Sequence, residues 1–410
     1  MTFRSRSKEA SSFDPDRAAL HEALDALMEP QTIRSDWQLP ESFPEAGLGD
    51  SKVLELLAPA VIGGARHLDD ELAFAHMDPP TPWVTWAATL WNAALNQNLL
   101  HPDLAPVAGE IEDRVLRWLA PPFGMTGGHM TPGSTVANLT ALWAARETRS
   151  IKRVVTSKAA HLSIAKSAHI LGLDFLDVNV NQSGQLDYSS LPQDLSTSAL
   201  VLTAGTTSAG ALDELNLKTN AAWTHVDAAW AGPLRLSNTH RDKLHGIESA
   251  DSIAISAHKW LFQPKESGVI LFRDAMAAHD AVSFGGAYLA APNIGVLGSR
   301  GANAIPLFAT LLSWGRSGVA QHIDAAMKAA DKLASYLQSR SDVRTYAPNA
   351  SGVILWQPKG GYDVREMIGR LPTGSASLTS IDGEEWLRHV SANPNVSIDS
   401  LTDAIALALK

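Results

Sequence analysis

Apolar positions recur along this chain at two periods, and their alternation sets the architecture. Near the N-terminus Leu20, Ala23, Leu24 and Leu27 share one face of a helix predicted over 16–28, after which Pro30, Pro40 and Pro44 punctuate an extended stretch. Over 81–119 the spacing is helical again, with an interruption at His101-Pro102. Ile111, Val115, Leu116, Trp118 and Leu119 form the face expected to be buried, and Gly124 to Gly128 break the pattern. The middle third then switches back and forth. Helical spacing over 135–146 (Val136, Leu139, Thr140, Trp143) is followed by a short apolar run at 153–157, a helix at 163–171 ending on Gly172, and further runs at 175–180, 199–203, 224–227, 253–256 and 268–272. Short strands alternating with helices are crossover units, which build a mostly parallel sheet covered on both faces. Beyond about residue 305 an amphipathic helix over 323–337 and a strand over 352–356 predict a separate, more helical region.

Three parts follow from this pattern: an N-terminal helical and extended arm (1–75), a large α/β domain (76–305) and a small C-terminal domain (306–410). A chain of 410 residues accommodates such a division.

Charge and composition narrow the function classes. The formal net charge is −10, from 33 Lys+Arg against 43 Asp+Glu, and no basic run offers a nucleic-acid face. There is no cysteine, which excludes disulfides, thiolate nucleophiles and cysteine-based metal sites and suits a reducing compartment. The first ten residues are polar, with Arg4, Arg6 and Lys8, and lack the apolar core of a signal peptide. No window approaches the roughly 20 apolar residues of a membrane span. The expectation is a cytoplasmic protein with neither nucleic acid nor membrane as partner.

Ligands of open α/β sheets bind at the carboxyl ends of the strands. Here those ends carry Thr203, Asp227 and His258-Lys259, while the turn Thr131-Pro132-Gly133-Ser134-Thr135 opens the helix that bears Asn138. A helix N-terminus suits a phosphate, a carboxylate keeps a pyridine nitrogen protonated, and a lysine amine condenses with an aldehyde. Together they describe a site for pyridoxal 5'-phosphate (PLP).

The words around these residues resemble one family. Ala204-Gly205-Thr206-Thr207 with Gly210, His225-Val226-Asp227-Ala228-Ala229-Trp230, and Asp251-Ser252 through Ser256-Ala257-His258-Lys259-Trp260 occur in the order found in group II PLP-dependent amino-acid decarboxylases. That fold type I family includes glutamate, aromatic-amino-acid and diaminobutyrate decarboxylases, and the resemblance runs from about residue 70 to 320. It implies a mostly parallel seven-stranded sheet in the large domain, with a smaller C-terminal α+β domain. By the same resemblance Lys259 forms the internal aldimine, and Asp227 pairs with the pyridinium nitrogen. His161 stacks on the ring, with Ala229 on its other face. Gly133, Ser134 and Thr135 hold the phosphate with Ser256 and His258 nearby, and Thr203 contacts the ring substituents. Gly298-Ser299-Arg300-Gly301 resembles the element that reaches the phosphate from a second subunit, which implies a homodimer with its active site at the interface. His76, before Pro79-Pro80, resembles the family's substrate-side histidine. Tyr288 is the only tyrosine in the stretch between Phe272 and Gly298, where longer relatives carry a catalytic tyrosine.

The chain departs from the family at the cradle, where Thr-Ser-Gly-Gly-Ser-Glu-Ala-Asn is replaced by Thr131-Pro132-Gly133-Ser134-Thr135-Val136-Ala137-Asn138. The activity implied is α-decarboxylation of an L-amino acid. Carbon–carbon lyase chemistry of the sphingosine-phosphate lyase kind and transamination are its alternatives on the same cofactor. A transaminase would clamp the substrate carboxylate with an arginine, and Arg344, Arg365, Arg370 and Arg388 are the candidates in the small domain.

Overall fold

A computed structural model describes residues 13–29, 32, 38, 40–361 and 363–410. The polar N-terminus over 1–10 and Pro30 lie outside the described residues. The chain divides into two compact units, one ending at His67 and one beginning at Leu68.

Among its described residues the first unit holds two helices, α1 (Arg17–Met28) and α2 (Asp50–Gly64). Asp16 caps α1 by accepting from the backbone N–H of Ala18 and Ala19, which explains its start. The sequence pattern did not predict α2, in which Pro59 sits inside the helix.

The second unit begins with α3 (Trp83–Leu95) and α4 (Pro106–Leu119). The α/β alternation follows: β1 (Gly127–Thr131), α5 (Ser134–Arg149), β2 (Arg153–Ser157), α6 (Leu162–Leu171), β3 (Asp174–Val178), β4 (Ser198–Thr203), β5 (Trp223–Asp227), β6 (Ser252–Ile255) and β7 (Gly268–Phe272). The elements predicted in this stretch agree with these to within two residues at each end, except that α5 runs three residues past its predicted end at 146 and β1 was not predicted. After them come α7 (Ala275–Ala281), the short pair β8 (Ser283–Phe284) and β9 (Asn293–Ile294), and α8 (Ala304–Ser339), which kinks at Gly315. The chain ends with β10 (Val343–Thr345), β11 (Val353–Pro358), α9 (Val364–Arg370), β12 (Ser377–Ile381), β13 (Glu384–Val390) and α10 (Ile398–Ala408).

The main sheet has seven strands in the order β1-β7-β6-β5-β4-β2-β3. Pairing is parallel from β6 through β3, and β7 runs antiparallel to both of its neighbours. Every residue of β4, β6 and β7 is buried, as expected of strands covered on both faces. The edge strand β3 instead exposes Asp174 and Asp177, charges that discourage further pairing. Small residues on α5 (Ala137, Ala141, Ala144, Ala145) are fully buried and let its backbone lie close to the sheet. The C-terminal region is an antiparallel sheet, β10-β11-β13-β12, packed against the second half of α8 and α10. No described helix is long and apolar enough to cross a membrane.

Two sequence readings need correction. Gly127 and Gly128, read as a break, belong to β1: Gly128 faces Ile270 O so closely that an added Cβ would lie 1.8 Å from it. Trp118, assigned to the buried face of α4, is 40% exposed and stacks on Phe308 at 5.1 Å. Glu112 takes the buried place, ion-paired with Arg300 and accepting from Met130 N–H.

Candidate active site

The carboxyl ends of β1, β2, β4, β5 and β6 all point to one edge of the sheet, because β7 reverses direction between β6 and β1. The residues that follow these strands line a single cleft of about 230 Å³: Pro132 to Thr135 after β1, His161 after β2, Thr203, Gly205 and Thr207 from β4 onward, Asp227 and Ala229 from β5, and Ser256, His258 and Lys259 after β6. Ten of the thirteen are residues singled out from the sequence. The other three, Pro132, Gly205 and Thr207, sit inside words already quoted; what those words did not reveal is which side chain turns inward.

Lys259 rises from the floor between Ser256 and Trp260, with its backbone N–H donating to Ser256 O at 3.2 Å. Among the described residues its amine has no hydrogen-bond or ion-pair partner. Burial lowers its pKa, partly opposed by Asp227 and Asp78 and reinforced by Lys265 and Arg388, so more of it is the neutral, nucleophilic amine than for an exposed lysine. Asp227 is 3% exposed. Ala229 N–H donates to its Oδ1 at 3.1 Å and Asn138 Nδ2 to its Oδ2 at 3.0 Å. In the sheet it lies directly beside Thr203 of the neighbouring strand. His161 stands at the mouth of the cleft and caps α6, its Nδ1 accepting from Ser163 N–H at 3.2 Å.

The start of α5 offers an anion-binding end to the cleft. Gly133 precedes this 16-residue helix with φ +101 and ψ 169, a conformation that only glycine adopts readily, and among the described residues no side chain caps the helix. Its first N–H groups and its positive dipole end are therefore left for an anion. Ser134 Oγ and Ser256 Oγ meet at 2.8 Å beside it. A Cβ on Gly133 would lie 3.1 Å from His258 Cε1, so the imidazole packs directly on the turn. Burial lowers the pKa of His258 to about 4, with Lys265 and Lys259 adding to the effect.

These residues fit PLP. Thr203 Oγ1 and His258 Nδ1 are buried polar atoms without a protein partner among the described residues, both on the cleft wall. Unpaired buried polar atoms are costly, so their grouping around an unpaired lysine and an uncapped helix calls for a polar occupant.

Some sequence candidates lie elsewhere. Ser299 is exposed, accepts from Asn98 Nδ2 at 3.2 Å and does not line the cleft of its own chain. His76 is exposed outside the cleft, although Asp78, two residues on, is close enough to influence Lys259. Tyr288 is 75% exposed on the 286–289 turn. Of the four arginines of the small domain, Arg344 and Arg365 are taken up by Glu384 and Glu385, and Arg370 donates to Ala408 O. Arg388 alone of the four is buried and influences Lys259. It donates to Ala75 O and Ser377 Oγ, and its Nε is buried without a partner among the described residues.

The tryptophans that close two of the quoted words tie the floor down. Trp230 and Trp260 are fully buried, 4.4 Å apart, and donate to Ser351 O (2.6 Å) and Ser391 O (2.8 Å) of the C-terminal region.

The family model described as the pyridoxal-dependent decarboxylase conserved domain matches residues 30–357. L-2,4-diaminobutyrate decarboxylase of Rhizobium meliloti (strain 1021) is 30% identical over 408 residues, covering 88% of this chain and 81% of that protein. Aromatic-L-amino-acid decarboxylase of Bacillus atrophaeus is 25% identical over 365 residues, covering 80% and 76%. Among solved structures, Oryza sativa TDC with PLP and tryptamine aligns with a TM-score of 0.84 at 20% identity over 98% of each chain, a likeness of fold.

Proposed function

The chain belongs to the pyridoxal-dependent decarboxylase family, and on that premise we propose that it removes the α-carboxylate of an L-amino acid as CO2, with Lys259 as the residue that holds the cofactor. The observation that carries this reading is the convergence at one sheet edge of an unpaired lysine, a buried carboxylate and an uncapped helix N-terminus.

When bound, PLP supplies the electron sink that accepts the electron pair left behind as CO2 departs. The protein's part is binding, orientation and proton control. Gly133, Ser134, Thr135 and the start of α5 hold the phosphate, and Ser256 and His258 close that end. Asp227 keeps the ring nitrogen protonated, and its two backing donors leave lone pairs for that N–H. His161 and Ala229, both on the cleft wall, would pack against the ring, and Thr203 would offer its free hydroxyl to a ring substituent. Lys259 would be the amine that holds the cofactor between turnovers.

Arg388, which does not itself line the cleft but lies close enough to influence Lys259, is the group we assign to the substrate's α-carboxylate, a contact that a transaminase would share. A buried guanidinium with a spare Nε is a strong carboxylate partner, and burial holds its pKa down at about 10. Ser299 and Tyr288, outside the cleft of their own chain, would reach a cleft only across an interface between two copies, and the homodimer is part of this proposal. So is a cytoplasmic location, which suits a chain without cysteine.

The test is a panel of L-amino acids (2,4-diaminobutyrate, aromatic and acidic) incubated with the PLP-loaded protein and with Lys259→Ala, following CO2 and amine. One class should release both with the parent protein and none with the variant. Absence of CO2 across the panel, or a keto acid accumulating in place of the amine, would overturn the proposal.

A further inference from the structure

Beneath the cleft a line of buried polar side chains runs away from Asp227. Asn138 donates one N–H to Asp227 Oδ2 (3.0 Å) and the other to Ser163 Oγ (2.9 Å). Its Oδ1 faces His225 Nε2 at 2.9 Å. His225 Nδ1 meets Ser252 Oγ at 2.8 Å and lies farther, at 3.2 Å, from Ser252 O, and Trp223 Nε1 donates to Ser252 Oγ at 2.8 Å. On the other branch Ser163 Oγ lies 2.8 Å from His161 Nδ1. Asn138, His225, Ser163 and Ser252 are all at 0% exposure, so water cannot substitute for a missing partner.

Chemistry fixes the direction of the bonds that meet at Asn138, and from there the rest of the chain follows for a neutral His225. A carboxylate only accepts, so the Asn138 group turned toward Asp227 is the NH2. With both N–H groups used, Oδ1 is an acceptor and His225 must donate from Nε2. Burial lowers the pKa of His225 to about 4, so its imidazole is neutral at pH 7, with its single proton on Nε2 and Nδ1 accepting. Ser252 then gives its hydrogen to Nδ1 while accepting from the indole N–H of Trp223, which can only donate. Ser163, having accepted from Asn138, gives its own hydrogen to His161 Nδ1. That nitrogen also accepts from Ser163 backbone N–H, so the proton of a neutral His161 sits on Nε2.

We infer that Asn138 and His225 are positioning residues that hold, through one directed hydrogen-bond chain, both the Asp227 carboxylate and the Nε2 proton of His161. Neither lines the cleft, and both act through residues that do. The inference rests on the reading of Asp227 and His161 as the two ring partners. It adds that they are coupled, because one amide group serves both.

The experiment joins imidazole 15N NMR on cofactor-free protein to cofactor titration of Asn138→Leu, His225→Leu, His225→Gln and Asp227→Asn. In the parent protein His161 and His225 should both show the neutral Nε2–H tautomer, and in Asn138→Leu the His225 signal should move to a mixture, because its Nε2 loses its acceptor. Asn138→Leu and His225→Leu should lose about 10- to 100-fold in PLP affinity and in kcat with KM little changed, the range typical of outer-shell hydrogen-bond partners. His225→Gln keeps a donor for Asn138 and should recover to within about 3-fold of the parent. An Nδ1–H tautomer on His161 in the parent protein overturns the inference, even where a leucine variant fails to fold. Equal losses in His225→Leu and His225→Gln would reduce the chain to core filling and overturn it as well. If Asp227→Asn is impaired while both leucine variants match the parent, the coupling alone fails. If Asp227→Asn binds PLP and turns over like the parent, the reading of Asp227 fails and the inference with it.

Discussion

Replacing Asp213 by asparagine separates the cost of a buried charge from the hydrogen bonds that charge makes. Asp213 is 4% exposed; its Oδ1 accepts from Leu186 N–H and its Oδ2 from Thr203 N–H, each at 2.7 Å. It thereby pins the strand end that carries the Thr203 hydroxyl into the cleft. Burial raises its pKa to about 6, outweighing both N–H donors. A carboxyl with a raised pKa in the folded state stabilises the fold below its unfolded value of 3.8, and that contribution is lost as pH rises through 6. The distance from 3.8 to about 6 is worth about 3 kcal/mol, of which about 2 kcal/mol remains at pH 4, where the unfolded chain is already partly protonated. Asparagine does not titrate and has one acceptor for two N–H donors, which gives Asp213→Asn a pH-independent penalty of about 1–3 kcal/mol. Urea unfolding of both cofactor-free proteins at intervals from pH 4 to 8 gives the stability difference, parent minus variant. It should fall by about 2 kcal/mol over that range, whatever its absolute offset. A difference that stays flat, or rises with pH, would refute the burial argument.

Gly133→Ala puts a Cβ 3.1 Å from His258 Cε1 on a backbone with φ +101, a strain of about 1–3 kcal/mol. PLP affinity, titrated on cofactor-free protein, should fall roughly 5- to 100-fold, and an unchanged affinity would remove the turn from the phosphate site. Arg388→Gln should raise KM for the amino acid about 10-fold or more with a smaller effect on kcat, as loss of a ground-state carboxylate contact requires; steady-state kinetics with an unchanged KM would unseat that assignment. Gly128→Ala cannot be accommodated in the β1–β7 pair, since its Cβ would sit 1.8 Å from Ile270 O. The variant should fail to accumulate as soluble protein, and a soluble form with the parent Tm would contradict the pairing described.

What could be read in advance depended on the range of the interactions involved. Strand and helix alternation from β2 to β7 was legible because each element carries its own period, and the site words sit at the ends of those strands, where topology delivers them to one edge. β1 was missed because its two glycines, read locally, are turn residues; the close approach of Ile270 that requires Gly128 is 142 positions away in sequence. The burial of Glu112 on an otherwise apolar face is equally invisible, since its partner Arg300 comes from a distant segment. Asn138 was noted only as a polar residue on the cradle helix. Its link to Asp227 and His225 depends on how α5 lies across the sheet, which no local pattern encodes. Choosing Arg388 among four arginines likewise needed to know which ones already had carboxylate partners.

The reversed strand explains how so much chemistry meets in so little space. Because β7 runs antiparallel, it begins at the edge where β6 ends, and Gly268 at its start lies against the backbone of Gly133: a Cβ there would be 2.7 Å from Gly133 Cα. The turn proposed to hold the phosphate is thus braced from behind by the strand that follows Lys259, and turn and lysine are set by one pairing. The other side of the site is fixed by Trp260. Next to Lys259 in sequence, it donates to Ser391 O, three residues after Arg388. Trp230, directly after the proposed ring-facing Ala229, does the same to Ser351 O, and Ser391 N–H donates in turn to Gly352 O. The separation between the lysine and the arginine proposed to hold the substrate carboxylate therefore depends on two buried indole N–H bonds rather than on flexible side chains. A hydrogen bond lost at either tryptophan should widen that separation before it unfolds the protein, so activity should fail at a lower temperature than the fold does.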